Sequence, residues 1–243
     1  MPWTFHLLNS KLAGVFLILV GLGALGGCAT TPGRSTYALE RADSYTLKSE
    51  KIVSRPPNQV WDELVKSLSK SVFVVNRIEK QSRIIHVSFY SDTPEKFIDC
   101  GKTRRTYVRG RENQEYVYEI AAPSFYRIAS RAGESGQLPM TTLVNRKTSL
   151  DGKMKISLAP FVAETIVTVT GTFTLTAKVT GSYVVENAYG KRIESGNIPP
   201  VTYTCSFKTD GPNTCNWASG QQAVPVTCRS RGILETRILD SIN

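Results

Sequence analysis

Apolar and polar residues alternate most cleanly between Thr165 and Ser182. Val167, Val169, Gly171, Phe173, Leu175, Ala177, Val179 and Gly181 are apolar or small, and most residues between them are threonines. This period of two predicts a strand with one buried and one wet face. Its parity survives Gly171, which favours a bend there over a register-shifting bulge. At about 3.3 Å per residue the run is long for a single strand. Asn187-Ala188-Tyr189-Gly190 predicts a turn into a return strand over Ile193–Phe207. Upstream, Thr141–Leu150 and Lys153–Leu158 flank Asp151-Gly152, a dipeptide that favours a hairpin turn. Helical spacing appears in Val60, Trp61, Leu64, Val65 and Leu68. Asn58 is the expected cap of that helix, Asp62 and Glu63 its first-turn acids, and Lys66 and Lys70 its last-turn bases. Strands are expected at Lys51–Arg55, Val72–Asn76 and Ile84–Tyr90, then an excursion of short strands from Asp92 to about Met140. Leu234, Ile238, Leu239 and Ile242 predict a closing helix. The fold class is α+β: mostly antiparallel β-sheet with one N-terminal and one C-terminal helix.

The N-terminus follows another pattern. Leu12–Leu25 is an uncharged apolar stretch of 14 residues, shorter than the roughly 20 needed to span a bilayer. It ends in Leu25-Gly26-Gly27-Cys28. This resembles the lipobox of bacterial lipoproteins, in which the signal is removed and the cysteine carries lipid on its sulfur and amine. The resemblance implies export, lipidation (palmitate among the acyl chains) at Cys28, and stable membrane attachment. Ala29, not Asp, follows Cys28, which in that family implies the outer membrane, here with the periplasmic side expected. Gly21-Leu-Gly23-Ala-Leu-Gly26 matches the dinucleotide-binding pattern but lies inside the discarded signal, with no strand before it. The expected organisation is a cleaved signal over 1–27, a lipidated tether over 28–45, and a single disulfide-stabilised domain over 46–243. Residues Ala29 to about Ser44, fully extended, reach at most about 55 Å.

Charge and cysteine content sharpen this reading. The formal net charge is +10, and only Lys11 among the charged residues leaves with the signal. A basic exported chain favours anionic lipid headgroups or cell-wall phosphates, while nucleic acid is not an expected partner in that compartment. The basic run Lys102, Arg104, Arg105, Arg109 and Arg111 is the candidate contact. The alternative is a strand edge protected by charge. Four cysteines remain beside Cys28: Cys100, Cys205, Cys215 and Cys228. An even count in an oxidising compartment predicts two disulfides, with three possible connectivities. Cys205 and Cys215 lie symmetrically about Asp210, which opens the turn sequence Asp210-Gly-Pro-Asn213, so a hairpin there would bring them within bonding range, leaving Cys100 with Cys228. No Cys-x-x-Cys is present, and no metal or cofactor is expected.

The candidate catalytic patterns are weak. Ser67-Leu-Ser-Lys70 matches the Ser-x-x-Lys of penicillin-binding proteins and β-lactamases, but their Ser-Asp-Asn and Lys-Thr-Gly elements are missing. His86, the one histidine outside the signal, alternates with Ile84 and Ser88 on the less apolar side of a strand. Glu134-Ser135 resembles the Glu-Ser pair of lytic transglycosylases, yet glycines flank it at Gly133 and Gly136. No enzyme is expected.

The stretch Pro57–Phe89 resembles the repeated domains of the BamC (NlpB) lipoproteins of the outer-membrane barrel-assembly machinery. The likeness rests on Val60-Trp61-Asp-Glu-Leu64, Leu68, Phe73-Val-Val75 and the Ile84–Phe89 strand. It implies a helix packed on a small antiparallel sheet and a non-catalytic accessory role. The leading expectation is therefore a lipid-anchored module that helps assemble the envelope, or supports secretion, through protein contacts. A second is carriage of a lipid or other apolar ligand in a helix-gripped pocket lined by Phe173, Leu175 and Val179. A third is an oligomeric outer-membrane pore built from the threonine-rich strands.

Overall fold

The computed structural model describes residues 33–242, apart from 44–45, 130–137, 188, 212 and 220–221. Its elements run β1 (Arg34–Glu40), β2 (Glu50–Val53), α1 (Pro57–Leu68), β3 (Val74–Glu79) and β4 (Ile84–Ser91). After a short 3-10 turn come β5 (Ile98–Asp99), β6 (Lys102–Arg109), β7 (Glu112–Glu119) and β8 (Ser124–Ala129). The chain ends with β9 (Met140–Phe161), β10 (Glu164–Glu186), β11 (Arg192–Lys208), β12 (Asn213–Ser219), β13 (Gln222–Ser230) and α2 (Ile233–Asp240). The molecule is mostly antiparallel β-sheet with a helix near each end.

The alternation over 165–182 lies within β10, a strand of 23 residues. It pairs with β9, of 22 residues, from Glu164 opposite Phe161 to Val185 opposite Met140. Different segments of this hairpin carry different neighbours. Its proximal end takes β2 beside β10 and β4, then β3, beside β9. Its distal end takes β11 beside β10 and β8 beside β9. Three layers cover the inner face. Val60, Trp61, Leu64 and Leu68 of α1 and Leu234, Ile238 and Leu239 of α2 join the core formed by Ile85, Met154, Ile156, Val167 and Val169. Farther along, Trp217 and Val226 of the β12–β13 hairpin join Leu175 and Ala177 in the same core. Beyond that, the separate sheet β1–β6–β7 faces the distal strands.

Asp151-Gly152 does not turn the chain; β9 runs straight through it. The glycine answers a packing demand instead. Gly152 stands between Phe89 on β4 and Phe173 on β10, and Phe173 pairs in turn with Phe207 on β11. A Cβ at Gly152 would meet the Phe173 ring at 3.3 Å, and one at Gly171 would meet it at 3.1 Å. The two glycines let that ring lie across the sheet, with its centroid 5.5 Å from that of Phe207. The chain reverses ten residues later, at Val162, whose φ is 54°. Gly171 keeps the register, as its parity predicts; the irregularities of the β10–β11 ladder lie at Val179/Gly181 and Val185/Glu186. At Gly181 a Cβ would sit 2.2 Å from the Leu143 carbonyl oxygen, so only glycine fits there.

Four further expectations are corrected. Arg34–Glu40, placed in the tether, form β1 and pair along β6 from Arg34 opposite Val108 to Glu40 opposite Lys102. Their inward residues are Ser35, Tyr37 and Leu39, too few and too polar to stand out as a strand. The helix is capped by Pro56, with Pro57 at its first position. Proline suits that place because its missing N–H is not needed there. Asn58 therefore lies within the helix, and its first turn holds no acid. Glu63 instead pairs with Arg55 at 2.6 Å. Lys70 lies past the helix end, which leaves Lys66 as the last-turn base.

Both cysteine pairs stand at disulfide distance: Cys205–Cys215 joins β11 to β12, and Cys100–Cys228 joins the β5–β6 connection to β13. Their sequence separations are 10 and 128. Helix α2 is held at both ends. Buried Glu235 accepts from Thr209 at 2.9 Å and from Ser230 at 3.0 Å, and Lys51 of β2 donates to the carbonyls of Leu239 and Ile242.

Two stability measurements follow from this architecture. Gly152→Val should lower the urea midpoint by the equivalent of about 1–3 kcal/mol, the usual penalty for overfilling a packed core, while Asp151→Thr on the wet side should leave it nearly unchanged. Replacing Cys100 and Cys228 by alanine should destabilise by about 5 kcal/mol, and replacing Cys205 and Cys215 by about 3, because the longer loop restricts the unfolded chain more. Equal losses would contradict the loop-length argument.

Candidate functional site

Alternation along β6 divides the basic run. Lys102 and Arg104 face outward, whereas Arg105 is buried and Arg109 half-buried on the other side. Arg104 pairs with Glu115 at 2.6 Å and with Glu40 at 3.7 Å, and Arg109 pairs with Glu186. Arg111 lies exposed in the β6–β7 turn. The five cations thus form no single patch. Nor is β6 a protected edge, because β1 and β7 flank it.

Arg105 instead helps build an interior site. Its guanidinium lies 4.5 Å from the Tyr37 ring centroid and 4.7 Å from that of Tyr126, and its Nε donates to the Tyr118 hydroxyl at 2.9 Å. Arg146 of β9 approaches from the facing layer, stacked 4.8 Å from the Tyr118 ring and only 6% exposed. One nitrogen of its guanidinium donates to the carbonyls of Glu119 at 3.1 Å and Ala122 at 2.7 Å. Trp217 of β12 stacks on Tyr203 of β11, with centroids 6.1 Å apart. These groups surround a cavity of about 50 Å³ with an apolar side at Ile120, Val179 and Val226. Desolvation lowers the Arg146 pKa and raises those of Tyr37 and Tyr126.

The opposite, outer face of the long sheet is open. One row across it reads His86, Lys155, Thr170, and the next Ser88, Lys153, Thr172, Lys208. Farther along, Lys147 stands directly opposite Lys178. All five lysines are exposed, and no salt bridge joins any of them to a described residue. Like charges facing one another across strands are destabilising, so this face carries a repulsion unbalanced by close ion pairing. Asp210 lines the depression of about 580 Å³ between Lys153, Lys155 and Lys208, and Asp151 stands on the same side of β9.

The other candidates resolve simply. Ser67 lies in the last turn of α1, not at a helix start. His86 is partly exposed, 3.5 Å from Glu79. Phe173 and Leu175 are wholly buried in the packed core, leaving Val179 alone of the three expected pocket residues beside a cavity. Cys28 and Glu134-Ser135 lie outside the described residues. Among the described residues no group of three or more histidine, cysteine or carboxylate side chains gathers to hold a metal. No protein-family model, curated protein or solved structure matches the chain.

The buried phenols make stability fall at high pH. The unfolded chain loses these protons near the ordinary tyrosine value of 10.0, while the folded chain holds them to higher pH. Their contribution is complete below pH 10.0 and declines above it. Tyr126→Phe should flatten the alkaline limb of a denaturation-versus-pH curve; an unchanged slope would show that Tyr126 is not the group concerned.

Proposed function

We propose that this protein is a non-catalytic lipoprotein of the outer membrane, anchored through Cys28 and facing the periplasm. On this reading it is an accessory module for envelope assembly or secretion, and it docks an acidic protein on the outer face of its long sheet. The observation that carries the reading is the group of five exposed lysines, 147, 153, 155, 178 and 208, on that open face. An acidic surface laid against them would relieve their mutual repulsion and steer encounter.

The geometry near the anchor supports the same reading. With lipid on Cys28, the six-residue step to Arg34 spans at most about 20 Å, so β1 holds the domain close to the bilayer. Arg34 pairs opposite Val108, and the adjacent Arg109 bonds Glu186 at the end of the β9–β10 hairpin. That end carries exposed Tyr189, Ile193 and Leu138 beside Lys191 and Arg192, a composition suited to a lipid headgroup region. The lysine face runs back from this end along the length of the hairpin.

The test is residue-resolved crosslinking in cells producing the full chain. The expected result is crosslinks from a photoreactive residue placed at Thr172, among the five lysines, to acidic segments of one envelope protein. They should disappear when all five are changed to glutamate, and the protein should leave the membrane fraction when Cys28→Ser blocks lipidation. Crosslinks that persist after charge reversal, or a wild-type chain that captures no partner, would overturn the docking proposal. Isolation as a stable ring would replace it with the pore reading.

A further inference from the structure

The inner cavity holds two groups whose hydrogen-bonding capacity the described residues leave unused. Arg146 Nε and Trp217 Nε1 are buried and make no hydrogen bond to any described residue. Arg146 is 6% exposed and Trp217 7%, and both line the same cavity. A buried N–H without a partner carries a desolvation penalty of about 1–3 kcal/mol, and more on a charged group. The lining also contains Arg105 and no aspartate or glutamate. Tyrosine faces offset part of the burial of these two cations, but faces cannot accept the two idle N–H groups in the way an oxygen lone pair can.

We infer that this cavity is a binding site for one anionic group, a carboxylate or a phosphate. Arg146 Nε and Trp217 Nε1 donate to it, and the Arg105 and Arg146 guanidiniums supply the countercharge. Size limits the occupant. A water-sized site needs about 10–15 Å³, so the cavity of about 50 Å³ accommodates an acid group but no acyl chain or sugar ring. Tyr203, Val179 and Val224, which line it, are only half-buried. The bound group therefore enters from that side, with the rest of its molecule against Tyr203 and the valines. The site faces away from the lysine surface, so it stands independently of the docking reading.

The residues come from distant parts of the chain, at positions 105, 146 and 217, and the topology alone brings them together. Arg146 lies opposite Val179 in the β9–β10 ladder, on the inward parity of both strands. The Cys205–Cys215 bridge fixes β12, which carries Trp217, against β11, which carries Tyr203.

The experiment is calorimetric titration of the full lipoprotein in neutral detergent with sodium phosphate and, separately, sodium acetate, each at constant ionic strength against sodium chloride. Saturable one-to-one binding of either anion above chloride is expected; phosphate alone, acetate alone, or both would identify the preferred acid. Trp217→Phe keeps an aromatic ring at the site while removing the N–H together with the five-membered ring that carries it, and it should weaken binding at least about tenfold, the value of one hydrogen bond to a charged group. Arg146→Met should abolish binding. Arg237→Met, on the exposed side of α2, should leave it unchanged. If Arg146→Met fails to fold, the Trp217→Phe comparison decides alone. Heats indistinguishable from chloride for both anions, or unaltered affinity in Trp217→Phe, would overturn the inference.

Discussion

The ladder between β9 and β10 is the constraint on which the other elements depend. Strands of 22 and 23 residues are several times the usual length. An antiparallel pair of that length keeps its sidedness only while every residue holds its parity, because a slip of one turns the whole apolar set outward. Parity holds here from Ile156 and Val169, through Leu150 and Leu175, to Arg146 and Val179. Side chains at one end of the hairpin therefore share a face with those at the other. The β10–β11 irregularities fall on the partner ladder and leave β9–β10 intact.

No single helix covers a face of that length. The two helices, the β12–β13 hairpin and the β1–β6–β7 sheet divide it into three zones of different chemistry. Beneath the helices the face is mainly apolar, with Val167, Val169 and Ile156 fully buried. Under the disulfide-linked hairpin it becomes aromatic, around Phe173, Phe207 and Trp217. Under the third layer it becomes charged, with Arg146 and Arg105 between tyrosine rings. The two disulfides tie β12 and β13, the middle cover, to β11 and to the β5–β6 connection.

What the sequence disclosed depended on how local the governing interaction was. The helices α1 and α2 and the strand β10 were legible because each buries a regular stripe, as Trp61, Leu64 and Leu68 do. The Cys205–Cys215 pairing was legible because a ten-residue separation about a turn is a local fact. Asp151-Gly152 misled because its glycine serves a ring on another strand, Phe173, and nothing adjacent to it says so. The basic run misled because linear proximity in a strand puts neighbours on opposite sides, sending Arg105 inward and Arg104 out. Strand β1 was missed because its partner β6 begins 62 residues after its own last residue, Glu40. The interior site left one usable trace: extending the alternation of β9 backwards from Leu150 puts Arg146 on the apolar side. A strand that aims arginine at its core needs something there to receive it.

The two faces of the hairpin thus pose complementary electrostatic problems with different consequences. On the outer face the lysines are solvated, so their repulsion is weak, screened by salt and readily relieved by any acidic surface. Such a face sets the rate and partner preference of an encounter more than its strength. On the inner face water is largely excluded, so a single acid group beside Arg146 and Arg105 would interact far more strongly and with little screening. Its binding energy would also brace the distal covers, since Arg105 belongs to the β1–β6–β7 sheet, Trp217 to the β12–β13 hairpin and Arg146 to the hairpin beneath both. Strand β1, which follows the proposed lipid attachment most closely, packs its Tyr37 on the same Arg105. Occupation of the cavity would accordingly be felt at the proposed membrane end of the domain, through side chains already in contact.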